Sequence, residues 1–135
     1  MKWTLGVLLV AVCGFAQAAD KAQTQTGTCD TLAAAFEDGV KELSFSHAQG
    51  MFETSAAREA NLQLEKVATT NLMQMHLTLL AANKCPLPKT PLSDNAYGDD
   101  AFACAKDIEK NATSGNKDFP ASCDRAKWTR GFLKK

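Results

Sequence analysis

The chain has 135 residues, of which 15 are basic, 15 acidic and 45% hydrophobic, with five cysteines. The length suits one domain, and the balanced charge gives no electrostatic reason to expect nucleic acid or an anionic membrane surface as a partner. No segment after the N-terminal one is apolar for long enough to predict a membrane span.

Residues 1–18 have the organisation of a secretory signal peptide. Lys2 is the positive start, residues 4–15 are an apolar run too short to cross a bilayer comfortably, and Ala16-Gln17-Ala18 places small residues where a signal peptidase needs them. Cleavage is expected before Ala19. Val10-Ala11-Val12-Cys13 resembles a lipobox, but Val12 stands where a small residue is needed, so the Ala-x-Ala site explains the segment better. Loss of Lys2 leaves one acid in excess. Loss of Cys13 leaves Cys29, Cys85, Cys104 and Cys123, an even set that predicts two disulfides in an exported small protein. There is no C-x-x-C, so neither a thioredoxin-like redox site nor a zinc ribbon has its usual spacing.

Residues 19–28 are polar and rich in threonine and are expected to form a flexible leader, with residues 29–135 as a single helical domain. Leu32, Phe36, Val40 and Leu43 step by helical intervals, with Asp30 as a candidate cap. Gly39 weakens that helix by about 1 kcal/mol relative to alanine. Residues 44–53 contain helix formers, but Gly50 and the serines predict a turn somewhere among them.

A long helix is predicted over 55–83, with Thr54 or Ser55 as its cap and an apolar stripe at Leu64, Val67, Ala68, Leu72, Met75 and Leu79. From Leu72 onward the apolar face broadens, leaving Asn71, Gln74 and Thr78 as a narrow polar strip. Such a helix must be buried in its own core or against a partner, and Leu72, Met73, Leu77 and Leu80 are the candidate partner face. At about 43 Å it is long for a domain of this size, so it must bend, break or project into a dimer.

Pro86, Pro88 and Pro91 are expected to end this helix. Another is predicted from about Asp99 to Asn111, with Tyr97, Ala101, Cys104 and Ile108 on one face, then a loop at 114–120 and a short final helix at 121–128. No stretch alternates as a strand must. The expected fold is all-α, a small disulfide-stapled bundle of three to four helices with one long central helix. If the first two long helices form an antiparallel hairpin, Cys29 and Cys85 lie at the same end, which favours Cys29–Cys85 and Cys104–Cys123 among the three possible pairings.

The chain offers little for chemistry. It has no G-x-S-x-G, no H-E-x-x-H and no phosphate-binding glycine loop, so no catalytic residue is assigned and an enzyme is not expected. No cofactor is expected; haem attachment would need C-x-x-C-H. His76 lies on the apolar part of the long helix, where a core or interface histidine is the commoner case and a ligand or pH switch the sharper one. Thioether and imidazole suit Cu(I), but Met73 and Met75 diverge by about 200° on a helix. Only Met73 with His76, and His47 with Met51, have a spacing that could share an ion, and no metal site is assigned. Residues 94–105 fail as a calcium loop at the third, sixth and twelfth positions. Asn111-Ala112-Thr113 is a glycosylation sequon if the secreting cell is eukaryotic.

These features predict an exported non-enzymatic protein acting by protein–protein contact, with a homodimer or a different protein as partner. An immunity or inhibitor protein is one concrete form, and the compartment is the periplasm if the host is Gram-negative. The alternative is a small-ligand or metal carrier using His47, Met51, Met73 and His76 in a pocket between the long helix and residues 45–52.

Overall fold

The computed structural model describes residues 13–133, with side chains from residue 26 onward. The signal-peptide residues 1–12 lie outside the described residues. Three helices carry the fold: α1 (Cys13–Gly50), α2 (Ala56–Ala82) and α3 (Gly98–Ser114). Two short 3-10 turns, Ala121–Cys123 and Arg125–Lys127, take the place of the single final helix expected there. Pro120 precedes the first turn, and the Asp124 carboxylate accepts the Ala126 amide at the start of the second. The protein is a small all-helical bundle stapled by two disulfides.

α1 is longer than the sequence predicts at both ends. It runs as helix through 19–28, the segment expected to form a flexible leader. It also continues through Ser44 and Ser46, which are buried. The Ser44 hydroxyl donates to the Val40 carbonyl one turn back and accepts the Tyr97 amide, at 3.0 and 3.1 Å, so it finds partners without breaking the helix. The turn comes only after Gly50, where the Glu53 carboxylate accepts the amides of Thr54 and Ser55.

α2 returns antiparallel along α1. It ends before the prolines: the amide of Cys85 donates to Leu80 and that of Lys84 to Ala81, with Lys84 in the left-handed region at φ 56°. This is a Schellman stop, set by the last turn itself. The expected cystine pairs both form: Cys29–Cys85 at the open end of the hairpin and Cys104–Cys123 between α3 and the first 3-10 turn.

The core lies where α1, α3 and one side of α2 meet. Phe36, Val40 and Leu43 are buried, as are Tyr97, Ala101 and Cys104, so the stripes read from α1 and α3 face inward. From α2 the buried residues are Met73 and Leu80, and Leu77 packs against the core cluster that includes Met73. Gly39 is a contact point, since a Cβ there would lie 1.9 Å from the Met73 sulfur. A C-terminal strap closes the core. Trp128 is buried and donates its indole N–H to the Ser122 carbonyl, the Gly131 amide donates to Ala96, and the Leu133 amide to the Asn95 side chain.

Gly98 sits under this strap. A Cβ at 98 would fall 2.7 Å from the Leu133 backbone nitrogen, and backbone cannot swing aside as a side-chain tip can. Gly98→Ala is therefore expected to lift the strap and cost about 1–3 kcal/mol. Faster hydrogen exchange at the amides of Thr129, Gly131 and Leu133, with α1 unchanged, is the measurement that checks it.

Candidate functional site

α2 has two apolar sides. The side facing α1 carries Met73, Leu77 and Leu80, together with the partly buried Lys66, Thr69 and Thr70. The other side carries Leu64, Val67, Leu72, Met75 and Leu79, exposed by 69, 59, 48, 60 and 45%. At about 100° per residue, Leu72, Met75 and Leu79 lie about 80–160° around the helix from Met73 and Leu80. The partner face read from the sequence is thereby divided. Leu72 is outside, whereas Met73 and Leu80 are inside and unavailable to a partner. The outward stripe is the one expected to be buried. α2 is unbroken, and its length is accommodated along an α1 that is longer still.

The candidate ligands do not converge. Met73 packs at Gly39. His47 lies eight residues further along α1, about 12 Å on, and Met51 follows at the hairpin turn, half exposed. His76 flanks the outward stripe; its Nδ1 is buried and has no hydrogen-bond partner among the described residues. Among the described residues no three His, Cys, Asp or Glu side chains come close enough to hold a metal ion.

His47 instead joins an ionic cluster at the closed end of the hairpin. Asp94 Oδ2 lies 2.9 Å from Lys66 Nζ and 3.1 Å from His47 Nδ1, and the Lys66 and His47 nitrogens are 3.5 Å apart. With a proton on Nδ1 the ring donates to Asp94; without one it accepts from Lys66. The three side chains tie α1, α2 and the loop before α3. Burial pushes the Asp94 carboxyl up, but the Lys66 hydrogen bond and the charges of Lys66 and His47 outweigh it and hold the carboxyl below the ordinary range. A depressed folded-state pKa stabilises the protein above the unfolded pKa, near 4, and that contribution disappears as pH falls through the folded value. The stability difference between the native chain and Asp94→Asn is accordingly expected to shrink as the pH falls below about 5. Urea titrations at a series of pH values test this.

The remaining polar candidates also have structural duties. Asp100 accepts the Thr129 amide at 2.6 Å, and Tyr97 is buried. Asn111, the sequon residue, donates its amide to the Asp118 carbonyl and closes the loop after α3. Arg125 pairs with Glu42 and lies over the rings of Phe45 and Trp128. A shallow depression of about 730 Å³ beside Phe119 and Pro120 contains Asp124 and Lys127, already paired at 2.9 Å.

The chain matches no protein-family model, no curated protein and no solved structure. Any functional assignment therefore rests on its own surface, and among the described residues the outward stripe of α2 gathers five of the nine exposed large hydrophobic side chains on one helix. The sequence signal for it was present as the Leu64–Leu79 periodicity. What the sequence could not supply was its direction, because α2 is apolar on both sides. No helix among the described residues is long and apolar enough to cross a membrane. The two disulfides are consistent with an exported protein.

Proposed function

We propose that this is an exported, non-enzymatic helical protein that acts by protein–protein contact through the outer side of α2. The observation that carries the proposal is the line of half- to two-thirds-exposed leucine, valine and methionine from Leu64 to Leu79. Single exposed apolar side chains are ordinary on protein surfaces, but a contiguous stripe on one helix marks an interaction site. Recognition of a helix face by a facing helix or groove uses anchors at this same spacing. The periplasm of a Gram-negative cell is the compartment that suits the signal peptide and the disulfides, and an immunity or inhibitor role is one form such contact takes.

The test is site-specific photocrosslinking in the cells that make the protein. A benzophenone amino acid at position 75 should yield a covalent protein adduct, whereas the same group at Glu109, exposed on α3, should not. Absence of any protein adduct at 75 would remove the proposal.

A further inference from the structure

We infer that His47 and Met51 form a binding site for a soft monovalent metal ion, Cu(I) in the cell, at the closed end of the hairpin. The site stands apart from the outer side of α2 and does not rest on the contact surface proposed above.

The two residues are one helical turn apart. α1 ends at Gly50, but the chain keeps winding past it: the Met51 amide donates to the Ala48 carbonyl at 3.1 Å and the Phe52 amide to Gln49 at 3.0 Å. Side chains four residues apart share a helix face, and a helical Cα–Cβ bond leans toward the N-terminus, which inclines Met51 back toward the turn that carries His47. Both are open to solvent, with the His47 side chain 32% and Met51 50% exposed. The other histidine–methionine pair of suitable spacing lacks this access, because Met73 is buried against Gly39.

The imidazole is already oriented as a metal ligand. Its Nδ1 lies 3.1 Å from Asp94 Oδ2 and 3.5 Å from Lys66 Nζ, and the Lys66 ammonium is itself turned to the same carboxylate at 2.9 Å. A proton on Nδ1, donated to Asp94, makes the shorter and charge-assisted hydrogen bond. The ring lone pair then belongs to Nε2, the nitrogen that takes no part in the ionic cluster. A carboxylate behind the ring of a metal-bound histidine fixes the tautomer and raises the basicity of the ligand nitrogen. Here it also offsets the Lys66 charge, which would otherwise oppose a cation.

The ligand types select the ion. Imidazole and thioether together suit Cu(I), and Cu(I) and its air-stable analogue Ag(I) accept two ligands. Zinc takes four, drawn from nitrogen, thiolate and carboxylate, and among the described residues no three His, Cys, Asp or Glu side chains meet.

Titration of the disulfide-intact chain with Ag(I) nitrate in chloride-free buffer, followed by calorimetry and by the ring 15N spectra of both histidines, tests the site. One ion should bind per chain, moving the His47 Nε2 resonance and leaving His76 unchanged, and anaerobic Cu(I) should displace it. Met51→Leu keeps an apolar side chain on the surface and should weaken binding at least about tenfold, with the metal-free melting temperature unchanged. Met75→Leu should leave binding as it is. Asp94→Asn should weaken it about 10–100-fold and shift the free His47 ring toward the Nε2–H tautomer; an unchanged affinity and tautomer would overturn the role of that carboxylate. No binding, Zn(II) held as tightly as Ag(I), a shift at Nδ1 or at His76 in place of His47 Nε2, or equal losses at Met51 and Met75 would each overturn the site. Ag(I) that Cu(I) cannot displace overturns the assignment to Cu(I).

Discussion

Replacing Cys29 and Cys85 together by alanine is expected to remove about 4 kcal/mol of stability, more than the loss of the other cystine. The bridge spans a sequence separation of 56 residues, and loop closure of that length gives this magnitude. Cys104–Cys123 closes a separation of only 19, for which the same relation gives about 3 kcal/mol. Domains of this kind hold about 5–15 kcal/mol in all, so the first loss leaves a marginal fold. Its place in the structure makes the effect directional. Cys29 and Cys85 form a covalent link at the open end of the hairpin, while the Asp94 cluster holds the closed end. At the open end the buried Thr90 hydroxyl still donates to Glu37 at 3.0 Å, one neutral-to-charged hydrogen bond against a lost crosslink. Urea unfolding should show the midpoint falling, and hydrogen exchange should quicken first in α1 near residue 29 and in the last turn of α2. A loss under about 1 kcal/mol, or exchange that quickens first around His47, would contradict this placement.

The same hairpin explains what could be read from the sequence and what could not. The cystine pairing was legible because an antiparallel hairpin fixes which ends meet. α1 and α3 were legible because each has one apolar stripe, and a single stripe has only one place to go. α2 was half legible. Its period was clear, but Leu72 and Met73 are neighbours in sequence that point to opposite fates, and periodicity alone cannot say which apolar side meets α1. The deciding residues are polar ones. Lys66 lies on the inward side because Asp94 and His47 wait for it there, and those partners come from 28 and 19 positions away. Ser44 misled in the same manner: serine argues for a turn until a distant amide, that of Tyr97, gives it a place in the core. The strap formed by residues 128–133 was invisible for this reason too, since Thr129, Gly131 and Leu133 are tied by hydrogen bonds to residues about thirty or more positions away. The Schellman stop at Lys84 was masked by three prolines that appeared to be sufficient cause.

Met73→Ala is expected to cost about 2–5 kcal/mol, and Met75→Ala less than about 0.5 kcal/mol when measured on the dilute monomer. The two residues share a helix, a side-chain type and nearly the same position. They differ in that Met73 is 1% exposed and Met75 is 60% exposed. Met73 also depends on Gly39. A methyl group there would overlap the methionine sulfur and its terminal methyl group at 1.9 and 2.2 Å. In the native background Gly39→Ala gains about 1 kcal/mol of helix propensity but forces a packed side chain aside, for about 1–3 kcal/mol. In the Met73→Ala background that overlap is gone, the new methyl group fills part of the cavity, and only the gain remains. The double-mutant cycle should therefore show a favourable coupling of about 1–3 kcal/mol. Chemical denaturation of the four chains measures it. Equal costs at 73 and 75 would mean that α2 is rotated from the orientation described, which would turn the outward stripe into core. A large cost at 73, a small one at 75, and coupling at 39 fix the rotation of α2 about its axis, and the exposed side is then the only part of the helix free to meet a second protein.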